Sequence, residues 1–298
     1  MRSRYYWVLS VLLGLVMAGQ PLARGYQETQ AGQTIHIQTV QTKVRFDLYR
    51  DYLIVVRGSV GPLKGLNFLL DTGAIPTVLD PRIARKLHLE ERPTSIAVLG
   101  GRVQGGQAIV PSLEFGPIRK DNFYVLVEDL SFLEKALPVR IDGMIGLDVL
   151  GQSSFMIDYP SRTIHFGPPP PLPISIPLRV KEGVATVDAE INHMPVRLLV
   201  DTGASSFIIF EKRMPQPVLD MKISAVQRST NMIGDFERNQ VWLRSLRFGE
   251  AELGKQPAFV VHNSSDAGQD FDGLMSPVAL GITRVAVDRE RGVLAFSR

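Results

Sequence analysis

The chain contains two copies of one short sequence, and this internal repeat constrains the fold more than any other feature. Residues 69–74, Leu-Leu-Asp-Thr-Gly-Ala, recur at 199–204 as Leu-Val-Asp-Thr-Gly-Ala, so that Asp71 and Asp201 are 130 residues apart. The same spacing links further pairs, namely Asp142-Gly143 with Asp272-Gly273, Asp158 with Asp288, and Phe166 with Phe296. Self-similarity at a fixed spacing indicates two copies of one structural unit.

A proline-rich segment separates the copies. Residues 167–173 read Gly-Pro-Pro-Pro-Pro-Leu-Pro, and such a stretch forms a stiff, extended spacer and not part of a core. We therefore predict an N-terminal lobe over residues 40–166, a linker over 167–173 and a C-terminal lobe over 174–298. Each lobe has an ordinary size for a domain.

Both lobes are predicted to be mainly β, with few short helices. Short apolar or β-branched runs bounded by Gly, Pro or Asp indicate strands, and they fall at residues 35–37, 53–56, 68–70, 123–127, 156–157, 184–187, 196–200, 207–210, 258–261 and 285–287. A helix is predicted from Asp80, a capping residue, through Pro81 to about Leu89. Its counterpart after Phe210 should be shortened or lost, because prolines follow at 215 and 217.

Residues 1–23 are predicted to be a secretory signal peptide. A basic start, Arg2 and Arg4, precedes an apolar run from Trp7 to Ala18 that is shorter than a membrane-spanning helix needs. We expect an exported protein, periplasmic or extracellular, with a membrane anchor as the alternative if this segment is not cleaved. The absence of cysteine excludes disulfides, a thiolate nucleophile and cysteine-ligated metal. A net charge of +3, which includes Arg2 and Arg4, gives no footprint for nucleic acid.

The paired aspartates are the candidate catalytic residues. Each follows an apolar strand, and the glycine two residues later allows backbone to approach closely. If the lobes face each other, Asp71 and Asp201 meet, and two carboxylates so close share one proton. One carboxyl then acts as a base and the other as an acid. No histidine pair has metal-binding spacing and no Gly-x-Ser-x-Gly occurs, so no metal or cofactor is predicted.

The two Asp-Thr-Gly-Ala motifs resemble the active-site motif of aspartic proteases, and the alanine resembles the retroviral-protease (retropepsin-like) branch. A second element of that family, two apolar residues and then glycine, is matched by Met144-Ile145-Gly146. The resemblance implies two closed, barrel-like β lobes related by a pseudo-twofold axis in a bacterial exported protease. It also implies an aspartic endopeptidase, monomeric and without a cofactor, that binds an extended polypeptide between the lobes.

The resemblance assigns supporting roles around the dyad. Thr72 and Thr202 would exchange hydrogen bonds beneath it, with Gly73 and Gly203 completing the two loops. Because Ala74 and Ala204 offer no hydroxyl to stabilise the ionised dyad, we expect a mildly acidic working pH.

The second lobe departs from the family pattern. Leu274-Met275-Ser276 stands in place of apolar-apolar-glycine and is followed by Pro277, so Ser276 is expected to reshape the support of the second loop. The candidate flaps also differ, with residues 99–106 rich in glycine and residues 231–238 more polar. These departures motivate an alternative, a catalytically inactive binding or assembly module with the same fold. A third possibility is a dimer in which each lobe pairs with a lobe of another chain.

Overall fold

The structure is a computed structural model. It describes residues 6–11, 17–18, 35–37, 42–98, 101–181, 183–214, 222–231, 234–261 and 270–298. In the first half of the chain the strands are β1 (Tyr6–Val11), β2 (Met17–Ala18), β3 (Ile35–Ile37), β4 (Thr42–Arg45), β5 (Asp47–Tyr49), β6 (Leu53–Val60), β7 (Leu63–Leu70), β8 (Val78–Leu79), β9 (Arg92–Val98), β10 (Gly101–Phe115), β11 (Ile118–Val127), β12 (Gly143–Ile145), β13 (Phe155–Asp158) and β14 (Thr163–Phe166).

The second half repeats this pattern. Its strands are β15 (Ile174–Pro177), β16 (Arg179–Lys181), β17 (Val184–Ile191), β18 (Met194–Val200), β19 (Ile208–Phe210), β20 (Ala225–Asn231), β21 (Gly234–Leu243), β22 (Leu246–Phe248), β23 (Ala251–Glu252), β24 (Gln256–Val261), β25 (Gly273–Met275), β26 (Arg284–Asp288) and β27 (Val293–Ser297). The helices are α1 (Pro81–Lys86), α2 (Leu147–Leu150) and 3-10 turns at Ser131–Lys135, Glu211–Arg213 and Val278–Leu280. The predicted all-β class is confirmed.

The N-terminal lobe is a closed sheet. Its strands follow the order β10, β11, β8, β12, β7, β6, and β6 pairs again with β10 through Val60 and Leu113. Side chains of alternate residues fill the ring, among them Phe68, Phe115 and Phe123, all fully buried. The barrel-like expectation therefore holds for this lobe.

The C-terminal lobe has the same strand order. Around its sheet the strands follow the order β21, β24, β19, β25, β18, β17. β22, which comes after β21 along the chain, pairs with β17. The two lobes even repeat an aromatic contact. Phe115 packs edge-to-face on Phe166 with ring centroids 5.6 Å apart, and Phe248 packs in the same way on Phe296 at 5.8 Å. Such a pair contributes about 0.5–1.5 kcal/mol beyond the burial of its area.

A six-stranded sheet joins the lobes, in the order β15, β27, β26, β13, β14, β4. Its centre is the antiparallel pair β13 and β26, with Met156 opposite Ala286. Asp158 and Asp288 end these two strands, and their carboxylates accept the backbone N–H groups of Ser161 and Arg291. Both aspartates are thus hairpin-turn residues. Residues 167–173 connect β14 to β15 without a helix or strand.

The predicted helix is observed as α1, which begins at Pro81 as predicted but ends at Lys86, three residues before the predicted end at about Leu89. Asp80 caps it by accepting a hydrogen bond from the Arg82 backbone N–H at 2.9 Å, and Ile83 and Ala84 are buried beneath it. Its counterpart in the second lobe is the single 3-10 turn Glu211–Arg213, as the following prolines predict. Nine of the ten predicted strand runs lie within observed strands, and the run 207–210 begins one residue before β19. Most observed strands extend further than the predicted run, because a β-rich run marks only the buried part of a strand.

Of the predicted signal peptide, the structure describes residues 6–11 and 17–18. They lie as β1 along the edge of β20 and as β2 along the edge of β9. Processing of this segment is not a property of the fold, so the signal peptide stays a prediction. Within the described part of the chain, no helix is long and apolar enough to cross a membrane.

Candidate active site

The two Asp-Thr-Gly loops begin where central strands of the two lobes end. β7 delivers Asp71, whose backbone N–H donates to the carbonyl oxygen of Ile145 on the neighbouring parallel strand β12, at 2.9 Å. β18 delivers Asp201 in the same way, and its N–H donates to the carbonyl oxygen of Met275 on β25 at 3.0 Å. Each aspartate is therefore positioned by the strand that it follows and by a backbone hydrogen bond to the neighbouring strand, before its side chain makes any contact.

Thr72 and Thr202 join the two loops by reciprocal hydrogen bonds. The Thr72 hydroxyl donates to the carbonyl oxygen of Val200 at 2.7 Å and accepts from the backbone N–H of Thr202 at 3.0 Å. The Thr202 hydroxyl donates to the carbonyl oxygen of Leu70 at 3.3 Å and accepts from the N–H of Thr72 at 3.1 Å. Both threonines are buried, so their hydroxyls meet the hydrogen-bonding needs of backbone groups that water does not reach.

Each catalytic-loop glycine lies directly against the carboxyl group of the opposite aspartate. A Cβ on Gly203 would stand 2.6 Å from Cγ of Asp71, and one on Gly73 would stand 2.9 Å from Cγ of Asp201. No real Cβ approaches a heavy atom so closely, and a side chain at either position would push a carboxyl group aside. The glycines thus permit the two carboxyls to meet, which is what the sequence predicts of this pair.

The carboxyl oxygens divide into an inner and an outer set. The inner Oδ1 of Asp71 accepts the N–H of Gly73 at 2.8 Å, and that of Asp201 accepts the N–H groups of Gly203 and Ala204 at 2.8 and 3.0 Å. The outer Oδ2 atoms of both residues are buried without a donor from any described group. The donor that can serve them is a proton held between the two carboxyls.

Burial controls the protonation of this pair. It raises the pKa of Asp71 to about 6, against the lowering effect of the loop N–H groups. Burial, and then the charge of Asp71, raises the pKa of Asp201 well above its ordinary value. Two buried carboxyls in contact titrate as one unit. The pair therefore holds one proton over a range of pH in which isolated carboxyls are ionised.

A polar cluster supports the loop of the N-terminal lobe. Thr77 donates to Asp148 from its N–H at 2.8 Å and from its hydroxyl at 2.7 Å, and its hydroxyl accepts the N–H of Gly146 at 3.1 Å. The ammonium of Lys120, fully buried, donates to the carbonyl oxygen of Asp148 at 2.8 Å. Burial lowers the pKa of Lys120 and raises that of Asp148, while their mutual attraction opposes both shifts.

The C-terminal lobe supports its loop differently. In the first lobe the N–H of Leu147 donates to the carbonyl oxygen of Ala74 at 3.2 Å. Pro277 occupies the corresponding position and has no N–H to donate. The hydroxyl of Ser276 donates to the carbonyl oxygen of Ala204 instead, at 2.6 Å. Ser276 therefore replaces a lost backbone donor, and the expected reshaping of the support is a substitution of one hydrogen bond for another.

Two hairpins, β9 with β10 and β20 with β21, contain the described parts of the candidate flaps, whereas residues 99–100 and 232–233 lie outside the described residues. On the second hairpin the guanidinium of Arg238, 2% exposed, donates to Oγ of Ser206 at 3.0 Å and lies 3.9 Å from the ring centroid of Phe259. Burial lowers its pKa to about 10, so it stays charged at neutral and acidic pH. Beside the first hairpin lies Glu128, whose pKa burial raises.

The structure brings together all six residues predicted for the site, namely Asp71, Thr72, Gly73, Asp201, Thr202 and Gly203. Sequence analysis missed Thr77, Lys120, Asp148 and Arg238. The signal for Asp148 was its place two residues after the Met-Ile-Gly element. Lys120 and Arg238 carried no such signal, since each contacts the site across a long stretch of sequence. Among the described residues no group of three or more acidic or histidine side chains could hold a metal ion.

Comparison with known proteins gives a family match in both lobes. The sequence profile of the family described as aspartyl protease matches residues 56–149 and 187–283, which together make up more than half of the chain. Among solved structures, basic 7S globulin from soybean is similar, with a TM-score of 0.48 and 12% identity over 87% of this chain and 95% of the globulin chain. A comparison with proteins of curated function gave no match.

Proposed function

This chain belongs to the aspartyl protease family, and from that premise we propose that it is an aspartic endopeptidase in which Asp71 and Asp201 activate water to hydrolyse peptide bonds. The observation that carries the proposal is the contact of each carboxyl group with the glycine of the opposite loop. Each carboxyl group thus lies against the loop that carries the other, and the outer oxygen of each has no hydrogen-bond partner among the described groups.

The chemistry follows from the shared proton. The ionised carboxylate accepts a proton from a water molecule as the water oxygen attacks the peptide carbonyl carbon. The protonated carboxyl donates its proton to the carbonyl oxygen, which gives a tetrahedral diol. When the C–N bond breaks, one carboxyl donates a proton to the leaving nitrogen and the other accepts a proton from a hydroxyl of the diol, so that an amine and a carboxylic acid form and the dyad again holds one proton. No covalent intermediate with the protein is needed.

The proposed substrate is a polypeptide in extended conformation between the two hairpins. An extended chain adds to a sheet edge through its backbone, and its side chains enter pockets on alternate sides. Both hairpin edges are able to take an added strand, since β1 lies along β20 and β2 along β9. The proposed active unit is the single two-lobed chain, because its own two loops supply both aspartates.

Ser276 no longer favours the alternative of an inactive module. Its hydroxyl donates to the loop that carries Asp201. In that loop the inner oxygen of Asp201 accepts the N–H groups of Gly203 and Ala204, so its carboxyl group is held in place as that of Asp71 is. We retain export to the periplasm or the extracellular space, with residues 1–23 as the signal peptide, as part of the proposal.

The experiment is cleavage of a denatured protein mixture by the purified protein from pH 3 to 7, with and without pepstatin. Asp71→Asn and Asp201→Asn are compared with the wild type, together with Asp129→Asn as a matched control on an exposed loop. We expect the wild type and Asp129→Asn to cleave, pepstatin to block both, and the two dyad variants to be inactive.

Asn is nearly isosteric with Asp, so loss of activity with an unchanged thermal melting curve locates the chemistry in the dyad. Cleavage that persists in both dyad variants would show that the activity belongs to another site. An inactive wild type at every pH would favour the binding module. Mass measurement in solution distinguishes the single chain from a dimer.

A further inference from the structure

Opposite charges lie beside two equivalent positions of the hairpins, Gly105 and Arg238. Gly105 of β10 pairs with Thr94 of β9, and Arg238 of β21 pairs with Gln227 of β20. Both pairs are related by the same displacement of 133 residues that relates Leu113 of β10 to Leu246 of β22. Gly105 and Arg238 are therefore counterparts under the pseudo-twofold relation of the lobes.

In the C-terminal lobe the charge comes from the hairpin itself. The Arg238 guanidinium donates to Oγ of Ser206, five residues after Asp201, and to the side-chain oxygen of Gln227 at 3.2 Å. It lies over Phe259, which belongs to the apolar layer that also contains Leu199, next to the catalytic loop. We call Arg238, Ser206, Gln227 and Phe259 the second wall, and its positive charge lies against the loop that follows Asp201.

In the N-terminal lobe the charge comes from the adjacent strand. Glu128 directly follows β11, and a Cβ on Gly105 would overlap its carboxylate oxygen. The same Cβ would overlap the side chain of Ile96, which lies in one apolar layer with Ala74 of the catalytic loop. The counterpart of Glu128 in the other lobe is Val261, which is apolar. The carboxylate therefore occupies the space that a side chain at position 105 would take.

A neutral group completes the contrast. We call Thr94, Ile96, Gly105 and Glu128 the first wall. Thr94 is buried in it, and the Thr94 hydroxyl has no hydrogen-bond partner among the described groups. Its counterpart, Gln227, is engaged by Arg238. The first wall thus presents a carboxylate and an unused hydroxyl, and the second presents a guanidinium.

We propose that Arg238 and Glu128 determine specificity, and that the protein prefers extended peptides with an acidic side chain facing the C-terminal lobe and a basic side chain facing the N-terminal lobe. Arg238 belongs to the hairpin of the C-terminal lobe and Glu128 lies beside the hairpin of the N-terminal lobe, so the two charges face substrate side chains on opposite sides of the scissile bond. This inference rests on the proposed function, since it concerns the polypeptide bound over the dyad.

The physical basis is desolvation. A charged side chain that meets an opposite charge in a water-poor wall gains more than it would on an exposed surface, and one that meets a like charge is rejected. A single charge-assisted hydrogen bond of this kind changes binding by about tenfold to a hundredfold.

The test measures binding of peptides that cannot be cut, so that it does not depend on turnover. Each fluorescent peptide has a reduced amide at its centre and charged residues second from the centre on both sides, in the four combinations acid–base, base–acid, acid–acid and base–base. A second set places the charges third from the centre. The dissociation constant of each peptide is measured at pH 7 and low salt for every variant.

We expect one mixed-charge peptide to bind the wild type at least tenfold more tightly than its reverse. Arg238→Gln and Glu128→Gln should each reduce that ratio, and the exchange Arg238→Glu with Glu128→Arg should reverse the order. Matched controls are Arg228→Gln and Glu237→Gln, an exposed ion pair on the same hairpin, which should keep the wild-type ratio. Melting temperatures show which variants are folded, and Glu128→Gln, at a partly exposed position, tests the proposal if Arg238 variants unfold.

Equal binding of the two mixed-charge peptides, or no binding of any peptide, would overturn the inference. So would an unchanged ratio in folded Arg238→Gln and Glu128→Gln. The corresponding peptides with a normal central amide separate the two proposals. Cleavage without charge preference would contradict only the proposed specificity. A tenfold difference in binding between the two mixed-charge peptides, without cleavage, would support the proposed specificity and contradict the proposed catalysis.

Discussion

The hydroxyl of Ser276 donates a hydrogen bond of 2.6 Å to the carbonyl oxygen of Ala204, and it does so next to a proline that cannot donate one. In the other lobe the same carbonyl, that of Ala74, is served by the N–H of Leu147. A Cβ at Gly146 would overlap the Ala74 carbonyl oxygen, so the first lobe requires glycine there. Both lobes thus supply a hydrogen-bond donor to this carbonyl, the first from a backbone N–H and the second from a serine hydroxyl.

Ser276→Ala should therefore destabilise the protein. It leaves the buried carbonyl of Ala204 without a donor, which costs about 1–3 kcal/mol in the free energy of unfolding. The double variant Ser276→Gly with Pro277→Leu recreates the arrangement of the first lobe and should be more stable than Ser276→Ala. Urea denaturation measures all three proteins. Equal stability of Ser276→Ala and wild type would contradict the role given to this hydroxyl.

Thr72→Val should weaken the connection between the lobes. Valine has nearly the same shape but lacks the hydroxyl, so the carbonyl of Val200 and the N–H of Thr202 both lose a partner. We expect a loss of about 2–4 kcal/mol in the free energy of unfolding, from two unsatisfied buried groups. Thr72→Ser keeps the hydroxyl and is the control. If the Val and Ser variants melt together, the hydrogen bonds of Thr72 contribute nothing measurable.

Gly203→Ala should lower the rate of peptide hydrolysis by about a hundredfold without unfolding the protein. The new methyl group would stand 2.6 Å from the carboxyl carbon of Asp71 and must displace it. A displacement of about 1 Å at a reacting group lowers kcat by about a hundredfold. Gly65→Asn is the control, because that glycine has a positive φ of 69°, which Asn tolerates, and open space around it. Turnover and pepstatin affinity are measured for both. Wild-type turnover in Gly203→Ala would rule out the close contact.

The dyad should make the protein less stable as the pH rises. In the unfolded chain both carboxyls titrate near pH 4, whereas burial raises the pKa of Asp71 to about 6 and that of Asp201 well above its ordinary value. Between the unfolded and the folded pKa values the folded protein therefore binds more protons than the unfolded chain. The stabilisation that the dyad adds to the free energy of unfolding is complete below about pH 4 and is lost as the pH rises through the folded pKa values.

The measurement compares the wild type with the double variant Asp71→Asn and Asp201→Asn in urea at pH 4, 5, 6 and 7. The free energy of unfolding of the wild type, relative to that of the variant, should fall over this range by about 2–3 kcal/mol. Subtraction removes the contribution of other titrating groups, such as Asp158, whose pKa is lowered by hydrogen bonds and Arg284. Parallel curves would mean that the carboxyls are not perturbed by burial.

The parts of the site that sequence could predict are those that the repeat marks. Asp71 and Asp201 each follow an apolar strand, and a shared spacing identifies them as counterparts. Local rules also predict α1, since Asp80 and Pro81 form a capping signal within a few residues. Each of these inferences uses information contained in one short segment or in the comparison of two.

What sequence could not predict depends on long-range contacts. The structure places Lys120 against Asp148 and Arg238 against Ser206, and in each case the partners are separated by 28 or 32 residues. From sequence alone, any Lys or Arg is predicted to be exposed to solvent, because most Lys and Arg side chains are exposed. The meaning of Ser276 was missed for a similar reason. Both Ser276 and Pro277 are visible in the sequence as departures, but the carbonyl oxygen that the Ser276 hydroxyl serves belongs to Ala204, 72 residues away.

The pairing of β13 with β26 has a consequence for the origin of the chain. Phe155 is opposite Val287 and Ile157 is opposite Val285, so that the pairing is centred on Met156 and Ala286, which are themselves counterparts in the repeat. A strand pair with this symmetry is self-complementary. Two separate copies of one half-length polypeptide would join through it as an isologous homodimer. The two-lobed chain has the form expected from duplication and fusion of such a gene, after which the halves were free to diverge, as Arg238 and Gly105 have done.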